Sequence, residues 1–277
     1  MPASVDRSIR ATAGDARSNK TRDTTMESIE QICQQLTDDQ TKAFQAGKKL
    51  ADLAAAAGAP GKEAERAALA AELAKQLNAV NETKDNRGRV QKSLRYSPAV
   101  RGEIARALAS VGGEAEVAPL TEALKDFEVR EMARWALDRM ACAAATAALI
   151  EAAQQAVGVE FRVGAINALG RRSGPEVVAA LKQCAADGDV EIRLAAGEAL
   201  ANFPDASSEP VIAQILLDRP GNLRAIKRIA IARLQLADTL ARAGQKDAAA
   251  TVYRAVESAT VDEAQKKAAH AALEKHG

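Results

Sequence analysis

The sequence repeats a short pattern four times: an apolar residue, an arginine, and an Ala-Leu pair whose leucine stands seven residues after the arginine. The copies read VRGEIARAL, VREMARWAL, FRVGAINAL and IRLAAGEAL, and their arginines are Arg101, Arg130, Arg162 and Arg193. These arginines are 29, 32 and 31 residues apart, and Arg224 follows after another 31. Internal periods of this length indicate an array of stacked structural repeats.

Each copy predicts one helix, because its apolar residues fall at positions −1, +3, +6 and +7 from the arginine, on one helical face. Further helical segments lie between the copies, and glycine or proline separates most of them. Hydrophobic residues make up 47% of the chain but aromatic residues only 3%, so alanine and leucine must supply the contacts between closely packed helices. Runs typical of strands are missing. We therefore expect an all-α fold, an α-solenoid (alpha-alpha superhelix) of stacked helix hairpins.

The pattern divides the chain into four parts. Residues 1–25 lack regular hydrophobic periodicity and are expected to be a disordered tail. Residues 26–97 read as an N-terminal helical capping region without the arginine marker, and residues 98–218 as the repeats. Residues 219–277 begin with a long helical pattern and form a C-terminal helical cap. About twelve helices are expected in total.

The segment VRGEIARALASVGGEAEVAPLTEALKD resembles the short HEAT-like repeats of the phycobilin-lyase type. MARWALDRM followed by AATAALIEAA is similar to a run found in bacterial HEAT-repeat domain-containing proteins, and the resemblance covers about residues 98–217. ARLQLADTLARAGQKDAAATVYRAV is similar to a single tetratricopeptide-like hairpin, with Gly244 at its turn and Tyr253 on its second helix. The resemblance implies a scaffolding or partner-binding role.

The repeated arginines have a structural explanation. Asp126 precedes Arg130 by four residues, and Asp189 precedes Arg193 by four. An aspartate that caps a helix can meet an arginine one turn along, so we predict these two pairs. The HEAT resemblance implies that such pairs form a ladder that links adjacent units.

Trp135 is the only tryptophan of the chain and stands five residues after Arg130, where the other copies have Arg106, Asn167 and Glu198. Because polar residues share this position, Trp135 can be an exposed anchor for a partner. It can also fill the space left by the short first spacing, which we favour. If a partner binds to this row, its candidate contacts are Trp135, Arg106 and Arg134.

Two basic stretches, residues 84–106 and 219–233, support an alternative function as a binder of nucleic acid or another polyanion. Acidic residues lie between the stretches, and the few aromatic residues do not favour stacking on bases. The net charge of +1 provides no strong overall field. Solvent-exposed helix faces are the preferred explanation of both stretches.

No catalytic motif accompanies the repeats. The cysteines Cys33, Cys142 and Cys184 are far apart in the sequence, and we expect reduced, partly buried thiols. His270 and His276 have the wrong spacing for one metal site on a helix. We expect no cofactor, no bound metal and no enzymatic activity. No signal peptide or membrane-spanning stretch is visible, so the expected protein is a cytoplasmic scaffold that binds a protein or peptide, as a monomer or weak homo-oligomer.

Overall fold

A computed structural model describes residues 28–36, 40–215, 222–260 and 262–276. The predicted disordered tail, residues 1–25, lies outside the described residues. The described part contains fourteen α-helices, more than the twelve expected, together with two short 3-10 turns and one β-hairpin. In chain order the elements are α1 (Ile29–Gln35), α2 (Gln40–Ala57), α3 (Glu63–Leu77), β1 (Val80–Lys84), β2 (Val90–Leu94), α4 (Pro98–Val111), α5 (Val117–Ala123), α6 (Arg130–Arg139), α7 (Ala143–Gln155), α8 (Val159–Leu169), α9 (Pro175–Cys184), α10 (Val190–Leu200), α11 (Glu209–Gln214), α12 (Leu223–Arg242), α13 (Lys246–Ala259) and α14 (Glu263–His276).

The four arginine-marked segments form equivalent helices in successive hairpins. These first helices are α4, α6, α8 and α10, and the second helices are α5, α7, α9 and α11. First helices pack against first helices, as α4 does against α6, and second helices against second helices, as α5 does against α7. Each second helix also packs against the next first helix. The fold is therefore an all-α solenoid of stacked hairpins, as predicted.

Helices outside the marked segments extend the stack at both ends. At one end α2 packs against α4 and α3 against α5, so the α2–α3 hairpin adds a further layer. At the other end α12 packs against α10, and α13 and α14 follow. Tyr253 of α13 is buried and donates a hydrogen bond to Asp238 of α12, and Gly244 makes the turn between these helices with a φ of +81°. The division into capping regions at 26–97 and 219–277 remains a prediction.

The β-hairpin corrects the expectation that residues 26–97 are helical and that strands are missing. β1 and β2 pair antiparallel, with Val80 opposite Leu94. In the turn the Asp85 carboxylate accepts hydrogen bonds from the backbone N–H groups of Arg87 and Arg89, and Gly88 has a φ of +75°. All ten strand residues are exposed, so no alternation of buried and exposed residues marked these strands in the sequence.

The equivalent leucines of the repeat form the core between hairpins. Leu108, Leu137, Leu169 and Leu200 are fully buried, and the alanine before each of them is also buried. Small residues let neighbouring helices approach closely. At the end of α8, a Cβ added to Gly170 would lie 3.1 Å from the Cβ of Ala199 on α10. The helices thus exclude water from their shared faces with few large side chains.

The arginines connect successive second helices. Arg101, which is 3% exposed, donates through Nε to the carbonyl of Leu77 at the end of α3 and through Nη1 to the carboxylate of Asp126, after α5. Arg162 donates through Nε to the carbonyl of Ala153 in α7 at 2.8 Å and through Nη2 to Asp187, after α9, at 2.6 Å. We call this arrangement the arginine ladder.

The ladder differs from the pairs predicted within each repeat. Asp126 does not bind Arg130 through its side chain, because its carboxylate is taken by Arg101 of the preceding hairpin and by the backbone N–H of Glu128. Asp189 caps α10 as predicted, accepting from the N–H groups of Glu191 and Ile192. The Arg193 side chain donates to the carbonyls of Asp187 and Gly188.

Ladder carboxylates have lowered pKa values. Partial burial alone raises the pKa of Asp126, but the hydrogen bonds from Arg101 and from Glu128 outweigh burial. For Asp187, burial is outweighed by the Asp189 N–H and by Arg162. Asp205 lies in the loop before α11 and pairs with Lys182 of α9. Burial raises its pKa, but the hydrogen bonds from Lys182 and Ser207 outweigh burial and lower the pKa to about 2. All three groups are therefore ionised at neutral pH.

These shifts predict how stability depends on pH. A carboxylate whose folded pKa is below its unfolded value of about 3.9 stabilises the fold above that value and stops doing so as the pH falls through the folded pKa. We expect the free energy of unfolding, measured by urea titration, to decline between pH 5 and pH 3. Asp205→Asn should show a smaller decline than the unchanged chain. Identical pH dependence in both proteins would contradict a contribution of Asp205 to the decline.

Candidate protein-interaction surface

The three residues predicted to contact a partner lie on first helices. Trp135 on α6 is 36% exposed, and Cζ of Arg139 lies 5.4 Å from the centroid of its ring. Arg106 occupies the equivalent position on α4 and pairs with Glu103 at 3.0 Å. These two side chains therefore share one exposed row on successive first helices. Their role in partner binding stays a prediction.

Arg134 has a different environment from its two companions. Its side chain is 18% exposed, and its Nε pairs with Glu131 at 3.0 Å. Its Nη1 donates to the carbonyl of Gly164 at 3.2 Å, which connects α6 to α8. The guanidinium also lies where a side chain at Gly164 would be, since an added Cβ there would be 3.0 Å from Nε. Arg134 thus contributes to the contact between two hairpins.

A groove opens on the other row, between the second helices α5 and α7. We call it the α5–α7 groove, and its volume is about 360 Å³. Alanines on one side of α7 leave the space open, and the loops that follow α5 and α7 form its end. The residues that line it are Thr121, Leu124, Lys125, Phe127, Arg130, Ala148, Glu151, Ala152, Gln155, Ala156, Val157 and Phe161.

Two large apolar side chains of this groove are exposed to solvent. Phe127, in the loop after α5, is 64% exposed, and Val157, in the loop after α7, is 70% exposed. Phe161 of α8 also lines the groove but is only 1% exposed. Exposed apolar side chains that border a groove indicate an interaction site more strongly than single ones on a flat surface.

Arg130 connects the apolar parts of the groove. Its Cζ lies 3.9 Å from the centroid of the Phe127 ring and 4.5 Å from that of Phe161, which are cation–π distances. Its Nη1 donates to the carbonyl of Val157 at 2.7 Å. The repeated arginine thus has aromatic neighbours here, whereas Arg101 and Arg162 have carboxylates.

Sequence reasoning did not find this groove. Phe127 and Val157 stand outside the helical pattern, and the repeat alone does not show which loop side chains remain exposed. The available signal was the third residue after α5, α7 and α9, which is an aspartate at Asp126 and Asp187 but a glycine at Gly158. The exception falls at the groove.

Most residues of the two basic stretches are engaged in ion pairs. The pairs connect Arg228 with two acids of α10, and Arg233 with an acid of α11. Lys84, Arg87 and Arg224 have no ion pair among the described residues, and Arg219 lies outside them. The pairs are Arg89–Asp85, Lys92–Glu82, Arg95–Glu30, Arg101–Asp126, Arg106–Glu103, Lys227–Asp262, Arg228–Glu191, Arg228–Glu198 and Arg233–Glu209.

Other side chains that could react or bind a metal are either buried in the fold or far from one another. Cys33 and Cys184 are buried free thiols, and burial, with the nearby Glu30 and Glu72, raises the pKa of Cys33 to about 12. Among the residues with described positions, no three His, Cys, Asp or Glu side chains form a group suited to a metal ion. None of the described helices has the length and apolar character needed to cross a membrane.

Comparison with known proteins agrees with the stacked hairpins. Residues 146–232 match the family model for HEAT repeats. No curated protein sequence matches the chain.

Solved structures with a similar course of the chain include human deoxyhypusine hydroxylase in complex with glycerol (19% identity, 90% of this chain and 95% of that chain, TM-score 0.35). They also include the complex of CpcE and CpcF of phycocyanin lyase from Nostoc sp. PCC7120 (17% identity, 98% of this chain and 100% of that chain, TM-score 0.40). A designed armadillo repeat protein in complex with the peptide (KR)4 is also similar (19% identity, 90% of this chain and 100% of that chain, TM-score 0.37).

The family match covers the second helix of one marked hairpin, the two marked hairpins that follow and the start of α12. The same packing of first and second helices continues from this segment toward α4. The recognition of HEAT-like repeats in the sequence is thereby confirmed. Residues 146–232 are therefore identified as HEAT repeats.

Proposed function

We propose that the protein is a non-enzymatic scaffold that binds a protein or peptide segment in the α5–α7 groove. The observation that carries this proposal is the exposure of Phe127 and Val157, both of which contact the partly buried Arg130. Stacked repeats create extended surfaces that bind partners, and the HEAT repeats provide such a surface here. A chain segment that covers both apolar side chains would remove them from water.

The groove has the features of a binding hot spot. Aromatic and arginine side chains contribute most of the binding energy at many protein interfaces, and here Phe127 and Arg130 are in direct contact. The helices on both sides are fixed by packing within the second-helix row. A groove that is already formed before binding loses little conformational entropy when the partner docks.

The ion pairs of the basic stretches disfavour the alternative function, binding of nucleic acid or another polyanion. Phosphate binding depends on cations that are available to replace counterions. In the second stretch, Arg228 already has two carboxylate partners, and the hydrogen bonds that it donates to Glu198 and Glu191 raise its pKa against the opposing effect of burial. We retain a cytoplasmic location and a monomeric or weakly associating state as predictions.

Groove variants test the proposal. We expect Phe127→Ser combined with Val157→Ser to reduce, by about tenfold or more, the capture of partners by the immobilised full chain from host lysate, measured by quantitative mass spectrometry. The matched control is Leu223→Ser with Ile231→Ser, two exposed apolar residues of α12. Circular dichroism verifies that all variants remain helical.

A Trp135→Ala variant distinguishes the two rows. If partners bind in the α5–α7 groove, this variant should capture the same partners as the unchanged chain. Loss of partners on Trp135→Ala, with retention by the groove variant, would place the site on the first helices instead. Equal loss in the groove variant and in the α12 control would contradict a specific groove site.

Retention on heparin tests the alternative function directly. We expect the chain to pass through a heparin column at low ionic strength, because most cations of both stretches are paired. Retention at about 50 mM salt that falls steeply by about 200 mM would show phosphate-type binding and contradict our preference.

A further inference from the structure

The third residue after each of three successive second helices differs. It is Asp126 after α5, Gly158 after α7 and Asp187 after α9. The two aspartates are the ladder carboxylates that bind Arg101 and Arg162. The loop after α7, residues 156–158, supplies no carboxylate.

Gly158 leaves Arg130 without a ladder carboxylate. Gly158 has a φ of +100°, and a Cβ added there would lie 3.2 Å from Nη2 of Arg130. The Arg130 guanidinium therefore lies close to the space that a side chain at position 158 would need. Among the described residues, the carbonyl of Val157 is the single hydrogen-bond acceptor of the Arg130 side chain.

The Arg130 guanidinium is nevertheless held in place. A guanidinium carries five N–H donors in one plane, and one of them is used by Val157. Contacts with the Phe127 and Phe161 rings fix its position without using the remaining donors. A cation that is oriented by aromatic rings and lines a groove is suited to receive a carboxylate.

The other charges at the groove do not supply that carboxylate. Lys125 is paired with Glu122 at 2.6 Å, and Gln155 is neutral. Glu151 borders the groove but makes no ion pair with Arg130. The negative charge of Glu151 favours a singly charged ligand over a doubly charged phosphate, because the latter would be repelled more strongly.

We infer that Arg130 binds the carboxylate of an aspartate or glutamate side chain of the partner, and that apolar residues beside this acid cover Phe127 and Val157. The partner would then complete the arginine ladder at Arg130, where the loop after α7 supplies no carboxylate. This inference rests on the proposed function, because it specifies the chemistry of the segment that docks in the α5–α7 groove.

Selection of peptides provides the probe. Short random peptides displayed on phage are selected on the immobilised full chain, and binders are then tested against the Phe127→Ser/Val157→Ser variant. We expect groove-dependent binders to contain an internal aspartate or glutamate flanked by apolar residues. The peptide with the highest enrichment is synthesised, together with forms in which asparagine or phosphoserine replaces the acid.

A double-mutant cycle then tests the contact itself. In the unchanged chain, replacing the peptide's acid with its amide should weaken binding by about tenfold or more, measured by fluorescence anisotropy. In Arg130→Met the same replacement should have little effect, because the partner of the carboxylate is gone. Arg254→Met, which removes an exposed arginine of α13, is the matched control and should keep the tenfold difference.

The outcomes separate the two proposals. Selected peptides that bind equally well to the Phe127→Ser/Val157→Ser variant, or an absence of binders, would contradict the proposed groove. Groove-dependent peptides without an acidic preference, or an equal loss on amide replacement in Arg130→Met, would contradict the carboxylate contact alone. Tighter binding of the phosphoserine form than of the acidic form would assign the site to phosphate instead.

Discussion

The stack depends on the burial of each hairpin's apolar face by the next hairpin, and the arginine ladder fixes how the second helices follow one another. Arg101 joins the end of α3 to the loop after α5, and Arg162 joins α7 to the loop after α9. A buried guanidinium must have its hydrogen-bond acceptors, so each arginine determines the position of two neighbouring second helices. The buried leucines supply the hydrophobic contacts that the ladder aligns.

A change in one loop connects this architecture to the proposed function. The loop after α7 ends with Gly158, so Arg130 keeps its place in the helix but contacts Phe127 and Phe161. The same change accompanies an open groove between α5 and α7, with Val157 exposed at its end. In our proposal, one interrupted contact of the stack thereby becomes the binding site.

The sequence predicted the features that depend on periodic burial. The leucines of the repeat had to be buried because they share one helical face, and Leu108 and Leu200 are. The partner of Asp126 was predicted incorrectly, because the spacing of residues within a repeat does not show which hairpin a long side chain reaches. The β-hairpin was missed since its strands bury neither face. The exposure of Phe127 depends on loop geometry, which no helical pattern encodes.

The free energy of unfolding of three equivalent variants, Arg101→Met, Arg130→Met and Arg162→Met, tests the central claim most directly. Urea titration at neutral pH should show losses of ~2–5 kcal/mol for Arg101→Met and Arg162→Met, because each leaves a partly buried aspartate without its cation. Arg130→Met should lose about 1 kcal/mol or less, because only aromatic contacts and one carbonyl bond are affected. Equal losses at all three positions would contradict the account.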